Sequence, residues 1–263
     1  MKNPKVLVLR TAGTNCNEET AFAFSYFGAV VDQVHINQLV SGAVKLVDYQ
    51  ILALPGGFSY GDDIASGRIL ANELRLKLGE DIRKFIKDGK LVLGICNGFQ
   101  ILVKAGILPG LKANEGQEAT LFHNDSAKFE SRWTHLSVAS NSPCVWTKNV
   151  AAQIYLPVAH GEGKFIPRDP KVLETLKANG QVVFHYCAPD GSTPSYPDNP
   201  NGSTEHIAGI CDPTGRVLGL MPHPERHFLS QQHPYWTRLD KKSPLGEGAQ
   251  IFENGVNYAK EQL

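Results

Sequence analysis

The fold is best approached from one heptapeptide, Gly94-Ile95-Cys96-Asn97-Gly98-Phe99-Gln100. It follows the apolar run 91–93, typical of a buried strand, and precedes residues 101–105, which favour a helix. Strand, Gly-x-Cys-x-Gly and helix together are the layout of a nucleophile elbow with cysteine in place of serine. In so sharp a turn a side chain on either glycine would clash with its neighbours, and the helix dipole favours a thiolate at the helix N-terminus. We therefore predict that Cys96 is a nucleophile; the alternative is a buried cysteine between two packing glycines.

Short apolar runs alternate with helical patterns on both sides of this heptapeptide. The predicted strands cover 6–9, 30–35, 51–54 and 91–95, and the predicted helices cover 18–27, 69–76 and 81–87. Such alternation predicts a parallel, doubly wound sheet, in which ligands bind beyond the carboxyl ends of the strands. Pro55-Gly56-Gly57 and Cys96 both follow strand ends, so one pocket is expected to hold both.

The second half of the chain has a different pattern. From Lys112 to Pro167, short β-type segments at 119–122, 136–139 and 153–156 predict antiparallel strands added to the edge of the sheet. Further predicted elements are a helix at 170–179, a strand at 181–184, a long loop at 188–204 and a hairpin of 207–211 with 217–221. No linker is evident, so we predict one domain over 1–263. The predicted fold class is α/β, a three-layer, doubly wound, mostly parallel sheet with antiparallel edge strands.

Composition excludes several classes of function. The 263 residues carry 26 basic and 26 acidic side chains and no long run of like charge, which argues against a nucleic-acid or anionic-membrane surface. Five cysteines without a CxxC pair argue against a disulfide framework or a zinc ribbon. No apolar run is long enough to cross a bilayer. We expect a cytoplasmic protein.

A cysteine nucleophile needs a base, and the base needs an orienting group. Among nine histidines, His223 alone follows a predicted strand end and has a carboxylate, Glu225, two residues later. Prolines stand on both sides of His223, and the second of them precedes Glu225. In extended chain this spacing places both side chains on one side. We predict a triad of Cys96, His223 and Glu225; alternatively, His223 is a turn residue and Glu225 an acid at a helix N-terminus.

An oxyanion hole would complete the site. The backbone N–H of Asn97 directly follows the nucleophile, and Gly57 at the neighbouring strand end is the candidate second donor. The alternative for Pro55-Gly56-Gly57 is a plain tight turn.

No metal site is predicted. His223 and His227 have the spacing of zinc ligands only on a helix, and Pro224 argues against a helix there. The remaining cysteines, Cys16, Cys144, Cys187 and Cys211, are expected to be packing residues, with Cys16 a candidate for exposure in a loop.

Taken together, the motifs resemble the class I (triad) glutamine amidotransferases, and within them the glutaminase subunits of phosphoribosylformylglycinamidine synthase. Four blocks in order carry the resemblance, which spans nearly the whole chain: 56–62, 94–100, 199–203 and 219–226. The resemblance implies a flavodoxin-like fold.

The resemblance also implies a mechanism. Cys96 would attack the side-chain amide of glutamine, with the N–H groups of Gly57 and Asn97 holding the oxyanion. His223, oriented by Glu225, would protonate the leaving ammonia, and water would hydrolyse the thioester on Cys96. Gln100 would fix the glutamine, either directly or by bracing the elbow.

The implied partners are a synthetase subunit (PurL) and a small bridging subunit (PurS). The synthetase would take the ammonia, shielded from water, and use ATP and Mg²⁺ to convert formylglycinamide ribonucleotide to formylglycinamidine ribonucleotide. The resemblance implies no cofactor bound by this chain.

Two alternative functions and the role of one segment stay open. The chain could be a stand-alone cysteine hydrolase of the γ-glutamyl peptidase type, or an inactive amidotransferase-like binding subunit. The segment His160-Gly161-Glu162-Gly163 is either a turn or a border of the glutamine site.

Overall fold

A computed structural model describes residues 3–111, 116–239 and 243–263. The strands in these ranges are β1 (Lys5–Arg10), β2 (Val30–His35), β3 (Ile51–Leu54), β4 (Leu91–Ile95), β5 (Ala119–Phe122), β6 (Glu130–Val138), β7 (Gln153–His160), β8 (Lys164–Pro167), β9 (Val182–Cys187), β10 (Ile207–Cys211) and β11 (Val217–Leu220). The α-helices are α1 (Asn17–Tyr26), α2 (Ile36–Val40), α3 (Arg68–Lys77), α4 (Gly79–Lys87), α5 (Asn97–Lys104), α6 (Pro170–Ala178) and α7 (Ala249–Gln262).

Nine strands form one mixed sheet in the order β2-β1-β3-β4-β11-β10-β9-β6-β7. The first five are parallel, and the last four join them as antiparallel neighbours. Every residue of β4 is buried, as expected of a central strand covered on both faces, whereas β7 alternates between buried and half-buried positions. The predicted α/β fold with added antiparallel strands is confirmed.

Helices cover both faces of the sheet. On one face Phe24 of α1 packs edge-on against Phe252 of α7, with ring centroids 5.0 Å apart. On the other, Phe99 of α5 stacks on Phe165 of β8 at 6.3 Å. The Phe99 ring also lies against Gly219 of β11, where a Cβ would come within 2.1 Å of it, so α5 and the residues at its start are packed between the main sheet and β8. Among the described helices, none has the length and apolar character that spanning a bilayer requires.

The structure corrects part of the predicted second half. The segment 119–122 is a strand, but it pairs with β8 in a separate two-stranded sheet and does not extend the main one. The reason is packing, since Leu121 and Phe165 of this antiparallel pair are buried. Strand β6 begins six residues before its predicted start, whereas β7 and β9 end four and three residues after their predicted ends. Strand β8 and helices α2 and α7 were not predicted. The predicted boundary at Lys112 lies outside the described residues.

Candidate active site

Three neighbouring parallel strands bring the predicted site residues together. Strands β3, β4 and β11 lie side by side and run in the same direction, so their carboxyl ends meet at one edge of the sheet. Gly56 and Gly57 follow β3, Cys96 follows β4, and His223 follows β11. The N–H of Cys96 donates to the Leu220 carbonyl at the end of β11, at 2.8 Å. Residues far apart in sequence therefore share one pocket because of strand order alone.

The turn at Cys96 has the backbone geometry of a nucleophile elbow. Cys96 has φ 50° and ψ −105°, a conformation that a residue with a side chain rarely adopts. A Cβ on Gly98 would lie 1.9 Å from the Leu54 carbonyl oxygen, and one on Gly94 would lie 2.8 Å from the Gly98 carbonyl oxygen. Both flanking positions thus exclude any side chain, which is the mechanical role predicted for the two glycines.

Replacing Gly98 with alanine is expected to destabilise the fold, since the Leu54 carbonyl is part of the central sheet and cannot move aside. We expect a loss of about 3 kcal/mol or more in the free energy of unfolding, or a melting temperature on the order of 5–10 °C lower. Thermal unfolding followed by circular dichroism measures it.

Gly79→Ala is the matched control, because a Cβ there would meet only the flexible Arg83 guanidinium, at 3.4 Å. Equal melting temperatures for the two variants would show that the elbow tolerates a side chain at Gly98.

The pair of His223 and Glu225 is fully buried, and the two side chains are hydrogen-bonded. Nδ1 of His223 lies 2.6 Å from Oε1 of Glu225, and the two residues are 2 % and 1 % exposed. The ring rests against Gly56, where a Cβ would come within 2.7 Å of Cε1. With Nδ1 held by Glu225, the other ring nitrogen, Nε2, is left for the nucleophile, and it makes no well-formed hydrogen bond to any described residue. Loose hydrogen bonds of this kind are common in sites without substrate.

Electrostatics link His223 to the nucleophile. Burial by itself lowers the pKa of His223, but the negative charges of Glu225 and Cys96, with hydrogen bonding to Cys16 and Cys96, raise it well above its usual value. The imidazolium is therefore the favoured form of His223. A protonated ring is what proton donation to a leaving nitrogen requires.

Two backbone N–H groups flank the pocket at the predicted oxyanion positions. Gly57 has φ 146°, and a Cβ there would lie 2.7 Å from the Gly13 carbonyl oxygen. Within the described residues, the N–H groups of Gly57 and Asn97 donate to no protein acceptor. The N–H of Asn97 is also one of the unpaired donors at the start of α5. Their role as an oxyanion hole stays a prediction that this geometry suits.

Gln100 is buried and its amide contacts protein groups. Its Nε2 donates to the Glu162 carbonyl at 2.6 Å, and its Oε1 accepts from Nδ2 of Asn97 at 3.0 Å. The same Asn97 side chain accepts from the Ser59 hydroxyl at 2.5 Å. Of the two predicted roles for Gln100, this geometry favours bracing the elbow over direct contact with glutamine.

Cys16 is buried beside His223, which corrects the expectation that it could be exposed. It is 1 % exposed, its Sγ lies 4.0 Å from His223 Nδ1, and Arg226 donates to it at 3.0 Å. The cause is the contact of Thr14 with Gly57, which draws the loop before α1 under the Pro55-Gly56-Gly57 turn. Burial raises the pKa of the Cys16 thiol, so this thiol is a neutral packing group behind the histidine. No sequence signal distinguished it from the other cysteines.

His227 contacts groups away from His223. Residues Pro224–His227 form a single 3-10 turn, and Nδ1 of His227 lies 2.7 Å from the Tyr155 carbonyl oxygen. Three possible metal ligands, Cys16, His223 and Glu225, do lie within 4.8 Å of one another. Because Glu225 already occupies Nδ1 of His223, we assign this group to support of the triad.

The segment that begins at His160 borders the pocket. The Ala159 carbonyl oxygen, one residue earlier, accepts from Cys96 Sγ at 3.6 Å. His160 itself is buried with Nδ1 3.1 Å from the Asn124 side-chain oxygen, and burial, with the nearby charge of His223, lowers the pKa of His160 to about 3. The geometry favours the second predicted alternative, a border of the site, over a plain turn.

Known proteins resemble this chain over nearly its whole length. The family model of the CobB/CobQ-like glutamine amidotransferase domain matches residues 3–259. A relative from Dehalococcoides mccartyi, named phosphoribosylformylglycinamidine synthase subunit PurQ, is 49 % identical over 262 residues, covering 99 % of this chain and 100 % of the relative. A relative of the same name from Archaeoglobus fulgidus is 42 % identical over 271 residues, covering 98 % and 97 %.

Solved structures give the same result for the fold. A chain in the structure of PurLQS from Thermotoga maritima superposes with a TM-score of 0.73 at 32 % identity, covering 98 % of this chain and 99 % of that one. A glutamine amidotransferase from Thermotoga maritima, 17 % identical and with a TM-score of 0.56, covers the full length of both chains and supports the fold alone.

Proposed function

Because this chain belongs to the CobB/CobQ-like glutamine amidotransferase family, we propose that it is the glutaminase subunit of a phosphoribosylformylglycinamidine synthase. The subunit assignment rests on full-length identity of 42–49 % to relatives that carry this name. The reaction class rests on the site itself.

One observation carries the chemistry: His223 and Glu225 form a buried hydrogen-bonded pair after β11, the strand next to the one that Cys96 follows, and Nε2 of His223 has no hydrogen-bond partner among the described residues. In the proposed reaction the Cys96 thiolate attacks the carboxamide carbon of glutamine, and the C–S bond forms as the carbonyl becomes an oxyanion. The N–H groups of Gly57 and Asn97 hold that oxyanion. His223 gives its proton to the amide nitrogen, and the C–N bond breaks as the oxyanion collapses. Ammonia departs, and a γ-glutamyl thioester remains on Cys96.

Water completes the cycle. The now neutral His223 takes a proton from a water molecule, which attacks the thioester carbon; the C–S bond breaks and glutamate leaves. Glu225 holds His223 in one orientation through both steps and stabilises its charged form. The thiolate and imidazolium are restored at the end, so atoms and charge balance over each turnover.

The ammonia is proposed to pass to a partner, by analogy with the PurLQS assembly of Thermotoga maritima, which contains a chain similar to this one. Free ammonia becomes ammonium in water at neutral pH, and ammonium is no nucleophile, so the path needs to exclude water. The synthetase partner would use ATP and Mg²⁺ to convert formylglycinamide ribonucleotide to formylglycinamidine ribonucleotide. Five free thiols and this biosynthetic role favour the cytoplasm as the compartment.

The proposed function is tested by asking whether the partner subunits activate glutamine hydrolysis by this chain. Cys96 is only 5 % exposed in the isolated chain, so we expect glutamine hydrolysis to rise about 10²-fold when the synthetase and bridging subunits, ATP and formylglycinamide ribonucleotide are added. Glutamate release and amidine formation are measured together and should match one to one.

Other outcomes separate the alternatives. Fast hydrolysis that no partner alters would point to a stand-alone hydrolase. A chain that a diazo-ketone analogue of glutamine fails to label at Cys96 would be an inactive binding subunit.

A further inference from the structure

We propose that Asp62, Lys104 and Glu162 are positioning residues that fasten both loops of the pocket to the elbow helix. We call these three residues and their shared partner Ser66 the clasp. The proposal deepens the proposed function, since it concerns how the oxyanion donor and the nucleophile are held in register.

Ser66 is the centre of the clasp, and each of its three polar groups contacts a different member. Its carbonyl accepts from Lys104 Nζ at 2.6 Å, its N–H lies 3.3 Å from the Glu162 carboxylate, and its hydroxyl donates to Asp62 at 2.9 Å. Lys104 Nζ also lies 3.4 Å from Glu162 Oε2. One residue of the loop between β3 and α3 is thus held by three charged side chains.

Asp62 and Glu162 also connect to the elbow. Nδ2 of Asn97 lies 3.3 Å from the Asp62 carboxylate, and Gln100 donates to the Glu162 carbonyl. Lys104 is the last residue of the helix that Asn97 begins, so α5 is attached to both loops at its two ends. The clasp therefore joins three separate segments: 57–67, 97–104 and 159–163.

The backbone of the loop between β3 and α3 is strained, so contacts with its surroundings are needed to hold it. Tyr60 and Asp62 have φ of 56° and 55°, left-handed values that side chains disfavour and that persist only where the surroundings enforce them. This loop carries Gly57 at its start, and the loop after β7 carries the Ala159 carbonyl that contacts Cys96. If the clasp opens, Gly57 can drift from the oxyanion position while Cys96 stays on its strand.

The charges of the clasp are largely withdrawn from water. The side chains of Lys104 and Glu162 are 10 % and 15 % exposed. Burial lowers the pKa of Lys104 while Glu162 opposes that shift, and burial raises the pKa of Asp62. Ionic contacts in such surroundings are screened less by water than the exposed pairs on α3 and α4.

The test compares Lys104→Met, which keeps the length of the side chain without its charge, with the wild type in the assembled complex. We expect kcat for glutamine to fall about 10²-fold, as for a misplaced oxyanion donor, with KM changed less than about threefold. Alkylation of Cys96 by iodoacetamide needs no oxyanion hole and should keep its rate, as should synthesis from added ammonia. Lys104→Arg should recover part of the lost kcat.

Lys84→Met is the matched control, since Lys84 forms an exposed pair with Asp88 at 2.7 Å and should leave every readout unchanged. The proposal would be overturned by a wild-type kcat in Lys104→Met. It would also be overturned if kcat and the alkylation rate fell by the same factor and the melting temperature fell with them, since that pattern indicates a general loss of structure. Should Lys104→Met not fold, Glu162→Gln decides, and wild-type kcat there would overturn it as well. A wild-type complex that transfers no nitrogen from glutamine would instead count against the proposed function.

Discussion

Replacing Cys96 with alanine is expected to abolish amidine formation from glutamine and to leave formation from added ammonia intact. The loss with glutamine should be about 10⁴-fold or more, since no other group in the pocket can form the thioester. Cys16 lies nearby, but it is a buried thiol behind His223, hydrogen-bonded by Arg226. Ammonia supplied at high concentration bypasses the glutaminase step, so the synthetase reaction should proceed at its normal rate.

The measurement is product formation in the assembled complex with each nitrogen donor in turn. Cys187→Ala is a suitable control, because Cys187 is also buried but lies at the end of β9 and outside the pocket. It should support both reactions. If Cys96→Ala lost the ammonia reaction too, the elbow would be a structural feature of the complex, and the nucleophile would have to be sought elsewhere.

The parts of this site that the sequence could predict are those encoded by short local patterns. Strands at 51–54 and 91–95 have the predicted bounds, because central parallel strands are apolar throughout and these two end where Pro55 and the Gly-x-Cys-x-Gly turn begin. The glycines beside Cys96 and the prolines beside His223 mark turns for steric reasons that hold in any fold. Strand order then places these turns together, and the α/β pattern limits that order to a few choices.

The parts that could not be predicted depend on contacts between segments distant in sequence. The burial of Cys16 follows from a bridge between Thr14 and Gly57, which no local pattern indicates. Lys104 has the sequence appearance of an ordinary basic residue at a helix end, and only the approach of residues 62–66 and 162 makes it a buried cation. The antiparallel pair of β5 and β8 forms a separate sheet because its apolar side chains pack on α5, as Phe165 does on Phe99. An edge strand of the main sheet would have the same sequence pattern.

Replacing Glu225 with glutamine is expected to lower glutamine turnover by about 10³- to 10⁴-fold. The shapes are alike, but an amide carries no charge to stabilise the imidazolium and can present a donor to Nδ1, which would favour the wrong ring tautomer. Glu174→Gln, a change on α6 and away from the pocket, should leave turnover unaltered. A diazo-ketone analogue of glutamine should still label Cys96 of the Glu225→Gln variant, but more slowly than in the wild type.

The pH profile tests whether the charge of Glu225 is the cause. That charge raises the pKa of His223 against the lowering effect of burial, so removing it should move the alkaline limb of kcat/KM to lower pH.

The raised pKa of His223 should also make the free energy of unfolding depend on pH. With a folded pKa above the unfolded value of about 6.5, His223 stabilises the wild type most at low pH and loses that contribution as pH rises through the folded pKa. Glu225→Gln should lack this loss; an alkaline limb at the same pH in both proteins would mean that another group holds the proton on His223.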